Sequence, residues 1–452
     1  MGGSTSKAQH KIATCPMPVF SIKALGHRHV LVAGGGGAAK TGVANQIRIY
    51  LLTYDAPPEQ QPLPNGTAAT ADGLPPLVGV PVSKADTATA AVMNADVLQL
   101  DGEEKFLIAT GEDDYCALYT TSNYSVETPL PDGDEKDVRV DERPRLALNL
   151  RPQSRFRTDE SKDDPYQKCV RFDHSKGHAA RLATGGSDGH LRVWDISDAV
   201  EGRLRSSGDH KREPVQEFQL NGGCVDDVDF SADGTTLAAV TDKWVGLISL
   251  PNNGARHPLP TPGQIPSEKY KASSVRSIRF TNLSTRVTVF AVAYQPRVRT
   301  GKQSSYVALW TFNGERFNLA NARAIKNERV SCIAVSPERS EFVACGTLEG
   351  NVFCFETGNL ECVYQSPNTN SSFITSVDFL PDRQTIQHPR QPPRLLPGAG
   401  ADAMATIVAL SNRTVQLHSV PFPAGTSLTR TLVSLGFQLL VVYLIAYVLF
   451  LY

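Results

Sequence analysis

The most unusual chemistry in the sequence lies in a glycine-rich stretch, GGGGAAKTGVAN, which runs from Gly34 to Asn45. Its first glycine, Lys40 and Thr41 stand at the spacing of a phosphate-binding loop, but Ala39 occupies a position where that loop requires glycine. A phosphate-binding loop also opens a helix whose N-terminus faces the phosphates. The residues that follow, QIRIYLL, are rich in β-branched and aromatic side chains and predict a strand. The stretch is therefore not predicted to bind phosphate.

Three further interpretations of this glycine loop were compared. A dinucleotide fingerprint, with Gly34, Gly36 and Ala39 at its small positions, fails because a strand follows the loop. A plain long hairpin turn stays open as the structural alternative. Four successive glycines lose much entropy on folding, and they usually mark positive φ angles or a close backbone approach. The third interpretation is a loop shaped for a function, formed by Gly34, Gly35, Gly36, Gly37 and Gly42.

A pattern of three short strands recurs seven times between residues 19 and 420. Each copy has an alternating strand, a turn, an apolar strand, a Gly/Asp-type turn and a third strand. Alternation gives every strand two packing faces. The clearest copy begins at Cys169 and ends with the dipeptide Trp194-Asp195. The third strands end near Tyr50, Tyr119, Trp194, Ile248, Trp310, Phe355 and His418.

Stacking such units around an axis protects the edges of their sheets. The pattern resembles a seven-bladed WD-repeat β-propeller, and we predict an all-β fold. A strand from about Ala8 to Pro18, in the leader 1–18, is expected to close the ring against the last blade. Because the copies are longer than the ~40–45 residues of a bare blade, most blades should carry insertions. We expect long loop insertions at 54–91, 129–164 and 384–401.

The last segment of the chain, Leu432–Tyr452, carries no charged residue. At 1.5 Å rise per residue it is long enough to span the ~30 Å apolar core of a bilayer. We predict one C-terminal transmembrane helix, joined to the propeller (19–420) by a juxtamembrane linker (421–431). The leader lacks the apolar region of a secretory signal. Because the predicted anchor would emerge from the ribosome only after synthesis ends, we expect post-translational insertion. The large N-terminal domain should then lie in the cytosol, with the endoplasmic reticulum as the membrane.

Composition argues against several classes of function. The formal net charge is −1, so no global charge favours nucleic acid, and we expect none as a partner. The eight cysteines include no CxxC pair, which suits a reducing compartment and argues against a zinc ribbon. The histidines are scattered and form no HExxH metal motif. We therefore predict that the protein is not an enzyme.

The glycine loop, the propeller and the C-terminal anchor together resemble the endoplasmic-reticulum exchange factor for the small GTPase that initiates the COPII coat, the prolactin regulatory element-binding protein family. The resemblance implies that the loop projects from the first blade, wraps a potassium ion through backbone carbonyls and enters the nucleotide site of the GTPase. The functional asparagine of the family corresponds to Asn45, and its aliphatic residue two positions earlier to Val43. Ala44 stands where some relatives have proline or lysine. The candidate potassium ligands are the carbonyls of Gly36, Ala38 and Val43.

The resemblance predicts a guanine-nucleotide exchange factor that promotes GDP release and GTP loading. Val43, Ala44 and Asn45 are the loop residues expected to contact the GTPase. The alternative is a tail-anchored propeller scaffold that recruits a cytosolic partner and has no exchange activity. A DNA-binding regulator, which the family name suggests, is opposed by the near-neutral charge and the predicted anchor.

Overall fold

The computed structural model describes most of residues 10–421. Within that range, the description leaves out residues 28, 39–41, 54–76, 101–104, 128–144, 176–179, 204–210, 253, 262, 264, 266–272, 298–302, 338, 367–371, 382–384, 389–390 and 396–402. The predicted anchor, Leu432–Tyr452, lies outside the described residues, as does the linker after Pro421. No helix in the described part of the chain has the length and apolar character that crossing a membrane requires.

Seven four-stranded antiparallel sheets form the blades of a β-propeller, which confirms the predicted all-β, seven-bladed fold. Blade 1 consists of β2 (Val19–Leu25), β3 (His29–Gly34), β4 (Gln46–Thr53) and β5 (Val78–Asp86). Blade 2 consists of β6 (Val92–Gln99), β7 (Phe106–Glu112), β8 (Tyr115–Glu127) and β9 (Arg145–Arg157). Blade 3 consists of β10 (Gln167–Phe172), β11 (Arg181–Gly186), β12 (His190–Asp195) and β13 (Gln216–Gln219). A short helix, α1 (Ser197–Val200), follows β12.

Blades 4–6 repeat the same order from the inner strand outward. Blade 4 consists of β14 (Val225–Phe230), β15 (Thr236–Thr241), β16 (Val245–Ser249) and β17 (Ala255–Pro258). Blade 5 consists of β18 (Ser273–Thr281), β19 (Thr288–Pro296), β20 (Ser305–Phe312) and β21 (Phe317–Ile325). Blade 6 consists of β22 (Val330–Val335), β23 (Phe342–Thr347), β24 (Val352–Glu356) and β25 (Cys362–Gln365).

Blade 7 is built from both ends of the propeller sequence. Its inner three strands are β26 (Ile374–Leu380), β29 (Ala405–Ser411) and β30 (Thr414–Val420), and its outer strand is β1 (His10–Thr14). β1 lies within the segment where the sequence analysis expected a closing strand. It pairs antiparallel with β30, with His10 opposite Leu417 and Thr14 opposite Thr414.

The predicted loop insertions are partly wrong, because each contains strands. β5 lies in the segment 54–91 and β9 in 129–164, where they form the outer strands of blades 1 and 2. The segment 384–401 contains a hairpin, β27 (Thr385–His388) and β28 (Gln391–Leu395). Outer strands expose one edge and much of one face, so their sequences tolerate charge and proline. Pro81 and Pro152 show this, since each lies at a register shift.

The inner strands of the seven blades surround the central channel and all run in the same direction along its axis. Ile22 N–H donates to Ser376 Oγ (3.3 Å), and Ala24 N–H donates to Asp378 Oδ2 (2.8 Å), so the two strands advance together. One face of the ring, here called the loop face, therefore collects the starts of all inner strands. The other, the exit face, collects their ends and the end of β30 at Val420, which pairs with the first residue of β29.

Equivalent positions of the inner strands form a row of alternating charge around the channel. Register places one residue of each blade in this row, and blade 6 contributes alanine: Lys23, Asp96, Arg171, Asp229, Arg279, Ala334 and Asp378. Lys23 Nζ lies 2.9 Å from Asp96 Oδ1. Burial alone would raise the pKa of Asp96, but Lys23, with help from His174, holds it well below its usual range.

Carboxylates of this row also bind the backbone of the next blade. Asp96 Oδ2 accepts from Phe172 N–H and Asp229 Oδ2 from Phe280 N–H, each at 2.8 Å. Such charge-assisted hydrogen bonds are roughly twice as strong as neutral ones. The row therefore joins neighbouring blades as well as lining the channel.

His418 in β30 gives the propeller a defined sensitivity to acid. Its imidazole is buried, Nδ1 lies 3.0 Å from Tyr364 Oη, and Nε2 has no hydrogen-bond partner among the described residues. Burial lowers the pKa of His418 to about 3. The unfolded chain takes up a proton here near pH 6.5, whereas the folded protein does not until about pH 3. Stability from this residue is therefore complete above pH 6.5 and is lost as the pH falls.

We expect His418 to remove about 2 kcal/mol from the free energy of unfolding between pH 7 and pH 5. Urea unfolding at both pH values measures this. His418→Gln keeps a polar group near Tyr364 and cannot take up a proton, so its loss over the same pH interval should be smaller by that amount. Equal losses in the two proteins would contradict the prediction.

Candidate functional site

The glycine loop connects β3 to β4 in blade 1 and opens on the loop face. β3 ends at Gly34, which pairs with Val19 on one side and Gln46 on the other. Residues 39–41, at the tip, lie outside the described residues. A strand follows the loop, so the helix that a phosphate-binding loop needs is replaced by β4.

The base of the loop lies against the segment that closes the ring. Gly35 N–H donates to the carbonyl of Pro18 at 3.0 Å. A Cβ atom on Gly34 would lie 2.1 Å from that same carbonyl oxygen, a distance that no side chain tolerates. Gly34 is therefore required for close backbone approach, as glycine runs often are.

Asn45 fastens the other end of the loop. Its Oδ1 accepts from Gly37 N–H (2.9 Å), and its Nδ2 donates to the carbonyls of Gly37 (3.1 Å) and Ala88 (3.0 Å). Only 7% of Asn45 is exposed. The amide thus holds the loop in shape, whereas the sequence analysis had expected it to contact a partner directly.

The turn between blades 1 and 2 supports this arrangement, and sequence reasoning missed it. Thr87 N–H donates to the carbonyl of Asn45 at 3.0 Å, and Thr87 Oγ1 donates to the carbonyl of Ala90 at 2.7 Å. Gln46 Nε2 donates to Asp86 Oδ1 at 2.6 Å. Nothing in the local sequence marks the Ala88 carbonyl as a ligand of Asn45, because backbone atoms are common to all residues.

The glycines adjoining Asn45 adopt the conformations that their residue type permits. The φ angle is +73° at Gly37 and +74° at Gly42, in the left-handed region. At Gly35, with φ of +152°, a Cβ atom would lie 2.1 Å from Asn45 Oδ1. The prediction that glycines shape this loop therefore has a physical basis at each of these positions.

The predicted site residues differ in how far they reach solvent. Ala38 and Ala44 are exposed, and Val43 is half-buried against the apolar cluster shared by blades 1 and 7. Gly36 is half-buried. The surface of the loop that a partner could touch is therefore small and uncharged at the described positions, with Asn45 beneath it.

The donor atoms of the loop suit a large monovalent cation. The described residues Gly34–Ala38 and Gly42–Ala44 offer backbone carbonyls and carry no ionisable side chain. Neutral carbonyl oxygens are the ligands that replace the hydration shell of potassium in proteins. The carbonyl of Gly37 already accepts from Asn45, so it is the least available of the set.

Comparison with known proteins agrees with the propeller fold and with the resemblance to an exchange factor. The family model for the WD domain, G-beta repeat, matches residues 161–195, which include the Trp194-Asp195 dipeptide. Curated guanine nucleotide-exchange factors SEC12 of Rattus norvegicus and Mus musculus are each 26% identical over 436 residues, covering 90% of this chain and 89% of theirs. The chain resembles SEC12 along nearly its whole length. The resemblance to an exchange factor that the sequence analysis drew from the loop, the propeller and the predicted anchor together is thereby confirmed.

Solved structures similar to this chain support the fold alone. Sqt1 of Chaetomium thermophilum, bound to the N-terminus of ribosomal protein L10, is 14% identical with a TM-score of 0.51 and covers 92% of this chain and 100% of its own. A chain of the COPII outer coat vertex on membranes is 12% identical with a TM-score of 0.55, covering 93% of this chain and 87% of its own. Neither identity is high enough to carry function.

Removing the Asn45 side chain should loosen the loop while the propeller stays folded. Asn45→Ala leaves the Gly37 N–H and the Ala88 carbonyl without their partner, at a cost of about 1–3 kcal/mol. We expect amide hydrogen exchange at Gly37 to accelerate about tenfold or more, with little change in blades 3–5. Hydrogen–deuterium exchange followed by mass spectrometry measures this.

Thr89→Ala is the matched control, since Thr89 is exposed and lies beside Ala88 in the same turn. This variant should leave the exchange at Gly37 unchanged. Unaltered Gly37 exchange in Asn45→Ala would show that the amide does not hold the loop.

Proposed function

We propose that this protein is a guanine-nucleotide exchange factor for the small GTPase that initiates the COPII coat at the endoplasmic reticulum. The observation that carries the proposal is the similarity to SEC12 exchange factors across nearly the whole chain. The fastened glycine loop supports it, because Asn45 stands at the position that the resemblance assigns to function and holds the loop in one shape.

The proposed mechanism makes and breaks no covalent bond, so the protein acts as a regulator of the GTPase. The loop enters the nucleotide site and fits the conformation that has released GDP. Binding that conformation lowers the affinity for GDP, and by linkage GDP lowers the affinity for the loop equally. GTP then binds by mass action and displaces the exchange factor.

Within the loop, the three predicted contact residues have different roles. Ala44 and the exposed part of Val43 touch the GTPase. Asn45 acts from beneath as a positioning residue, since its amide already has partners at Gly37 and Ala88. Rigid loops bind with less loss of entropy than mobile ones, so this fastening favours insertion.

Potassium belongs to the same proposal. The carbonyls of Gly36, Ala38 and Val43 would hold the ion, which when bound gives the loop a fixed positive centre. The chemistry of the loop suits it, because these ligands are neutral and the left-handed glycines Gly37 and Gly42 let the backbone turn between them.

The membrane anchor completes the proposal. β30 ends at Val420 on the exit face, and the glycine loop opens on the opposite, loop face. A linker of residues 421–431 spans at most ~35–40 Å when fully extended. The propeller is therefore held near the endoplasmic-reticulum membrane from the cytosolic side, with its loop directed away from the chain exit and accessible to a cytosolic GTPase.

The deciding experiment measures GDP release from the purified COPII GTPase with the full-length chain in detergent. We expect faster release, a weaker effect when sodium replaces potassium, and at least about a tenfold loss of stimulation in Asn45→Ala, as 1.4 kcal/mol of lost loop positioning would produce. Thr89→Ala should behave as the unaltered protein.

Each outcome separates the alternatives. Stimulation that is equal in sodium and potassium would keep the exchange function and remove the ion from it. Binding of the GTPase without any acceleration of GDP release would replace the proposal with the scaffold alternative.

A further inference from the structure

The mouth of the central channel on the loop face is lined by one residue from each blade. All seven inner strands carry a register shift near their start, which leaves one residue out of the ladder. Bulges of this kind re-aim a side chain. The seven residues line the channel mouth, and in blade order they are Phe20, Met93, Lys168, Asp226, Arg276, Ser331 and Thr375.

This ring of seven is chemically divided. Blades 1 and 2 contribute Phe20 and Met93, and blades 3–5 contribute Lys168, Asp226 and Arg276. The charged members have partners within the propeller: Lys168 Nζ lies 2.7 Å from Asp226 Oδ1, and Arg276 Nε donates to the Ser331 carbonyl. Each charged member therefore already has a partner, and the apolar half offers the surface that gains most from leaving water.

In the apolar half, Met93 is 40% exposed and Phe20 is half-buried, and two exposed apolar side chains extend this half on its other side. Phe373, directly before β26, is 49% exposed, and Leu348, in the turn between β23 and β24, is 39% exposed. Both lie on the loop face of adjacent blades, which pack together there, since a Cβ atom on Gly346 of blade 6 would lie 2.5 Å from Ile374 Cγ2 of blade 7. Leu348, Phe373, Phe20 and Met93 therefore form an arc over four consecutive blades, here called the apolar arc.

The apolar arc is continuous with the supports of the glycine loop. Thr375 Oγ1, two residues after Phe373, donates to the carbonyl of Val19 at 3.0 Å. Val19 follows Pro18, whose carbonyl accepts from Gly35. On the other flank, Met93 follows the turn whose Ala88 carbonyl accepts from Asn45. The loop thus stands at the centre of the arc, on the same face.

We propose that the apolar arc is the docking surface for the same GTPase whose nucleotide site receives the glycine loop. The inference rests on the proposed exchange function and adds the second contact of that complex. Its occupant is a folded segment of the GTPase that presents apolar side chains next to its nucleotide site. Exposed aromatic and methionine side chains are typical anchors of such interfaces.

The glycine loop alone offers little surface for binding, so the apolar arc is needed to supply affinity. The described part of the loop exposes small residues such as Ala38 and Ala44, whose burial contributes little. Affinity must then come from adjoining surface, and burying Phe373 and Met93 supplies it. The arc therefore sets how tightly the GTPase binds, and the loop sets how fast GDP leaves.

The chain offers matched controls for this division. Val215 is 55% exposed and Leu283 is 40% exposed. Val215 N–H bonds the Val193 carbonyl at the far end of β12, and Leu283 follows the end of β18, so both lie toward the exit face. Replacing either with serine removes a similar exposed apolar group without touching the arc.

The test measures GDP release from the COPII GTPase against increasing concentration of full-length protein, for Phe373→Ser, Met93→Ser, Val215→Ser and Leu283→Ser. We expect the two arc variants to raise the concentration that gives half-maximal stimulation about tenfold, with the maximal rate kept. The two controls should match the unaltered protein, and thermal unfolding should show all four to be folded.

Arc variants that match the unaltered protein, or controls that shift as far as they do, would overturn the docking surface and leave the exchange function standing. An unaltered protein that fails to accelerate GDP release at any concentration would overturn the exchange function and this inference with it. A fall in maximal rate alone in the arc variants would also contradict the division of roles.

Discussion

The pairing of β1 with β30 is the contact on which the rest of the structure depends. It joins His10 to Leu417 and turns a stack of sheets with two exposed edges into a closed ring. The residues after β1 then cross to blade 1, held by Cys15 N–H on the Arg413 carbonyl (2.7 Å) and Val19 N–H on the Asn412 carbonyl (2.9 Å). Pro18, between these bonds, supports Gly35. The segment that closes the propeller therefore also supports the base of the glycine loop, and the loop acquires its position only when the ring closes.

The number of blades sets a second constraint. A row of alternating charge around a channel closes only with an even number of members, and this propeller has seven blades. The row therefore needs a defect, which the chain places at Ala334 in blade 6. Arg279, deprived of a partner there, bonds Asp227 Oδ2 of blade 4 at 2.6 Å. Burial would raise the pKa of Asp227, and Arg279 with Arg171 lowers it. From blade 1 to blade 5 the buried charges therefore have partners of opposite sign, as low dielectric surroundings require.

The strand pattern was enough to predict seven blades, because the three inner strands of each blade are packed on both faces and their apolar residues recur in a clear order. The outer strands that carry Pro81 and Pro152 were missed. Only one face of an edge strand is packed, so such a strand tolerates proline and lacks a clear alternating pattern. At the site, the glycines could be identified by type and spacing, and Asn45 by the resemblance to the exchange-factor family. The role of Asn45 could not, because its partners are backbone atoms of Gly37 and Ala88, and the second lies beyond an intervening strand pair. Backbone ligands leave no signature in sequence.

Glycine-rich loops are usually regarded as flexible, and this one is held at several points. Gly34 and Gly35 lie against Pro18, and Gly37 exchanges two hydrogen bonds with Asn45. Here the absence of a Cβ atom permits close approach, and the contacts so gained remove the freedom that glycine would otherwise bring. Under the proposed function the loop enters a partner and favours one of its conformations. It must then resist deformation, because a contact that is equally favourable in both conformations shifts no equilibrium. At the described positions, the glycines that permit these close contacts therefore also restrict the backbone, provided that Asn45 and the ring closure are in place.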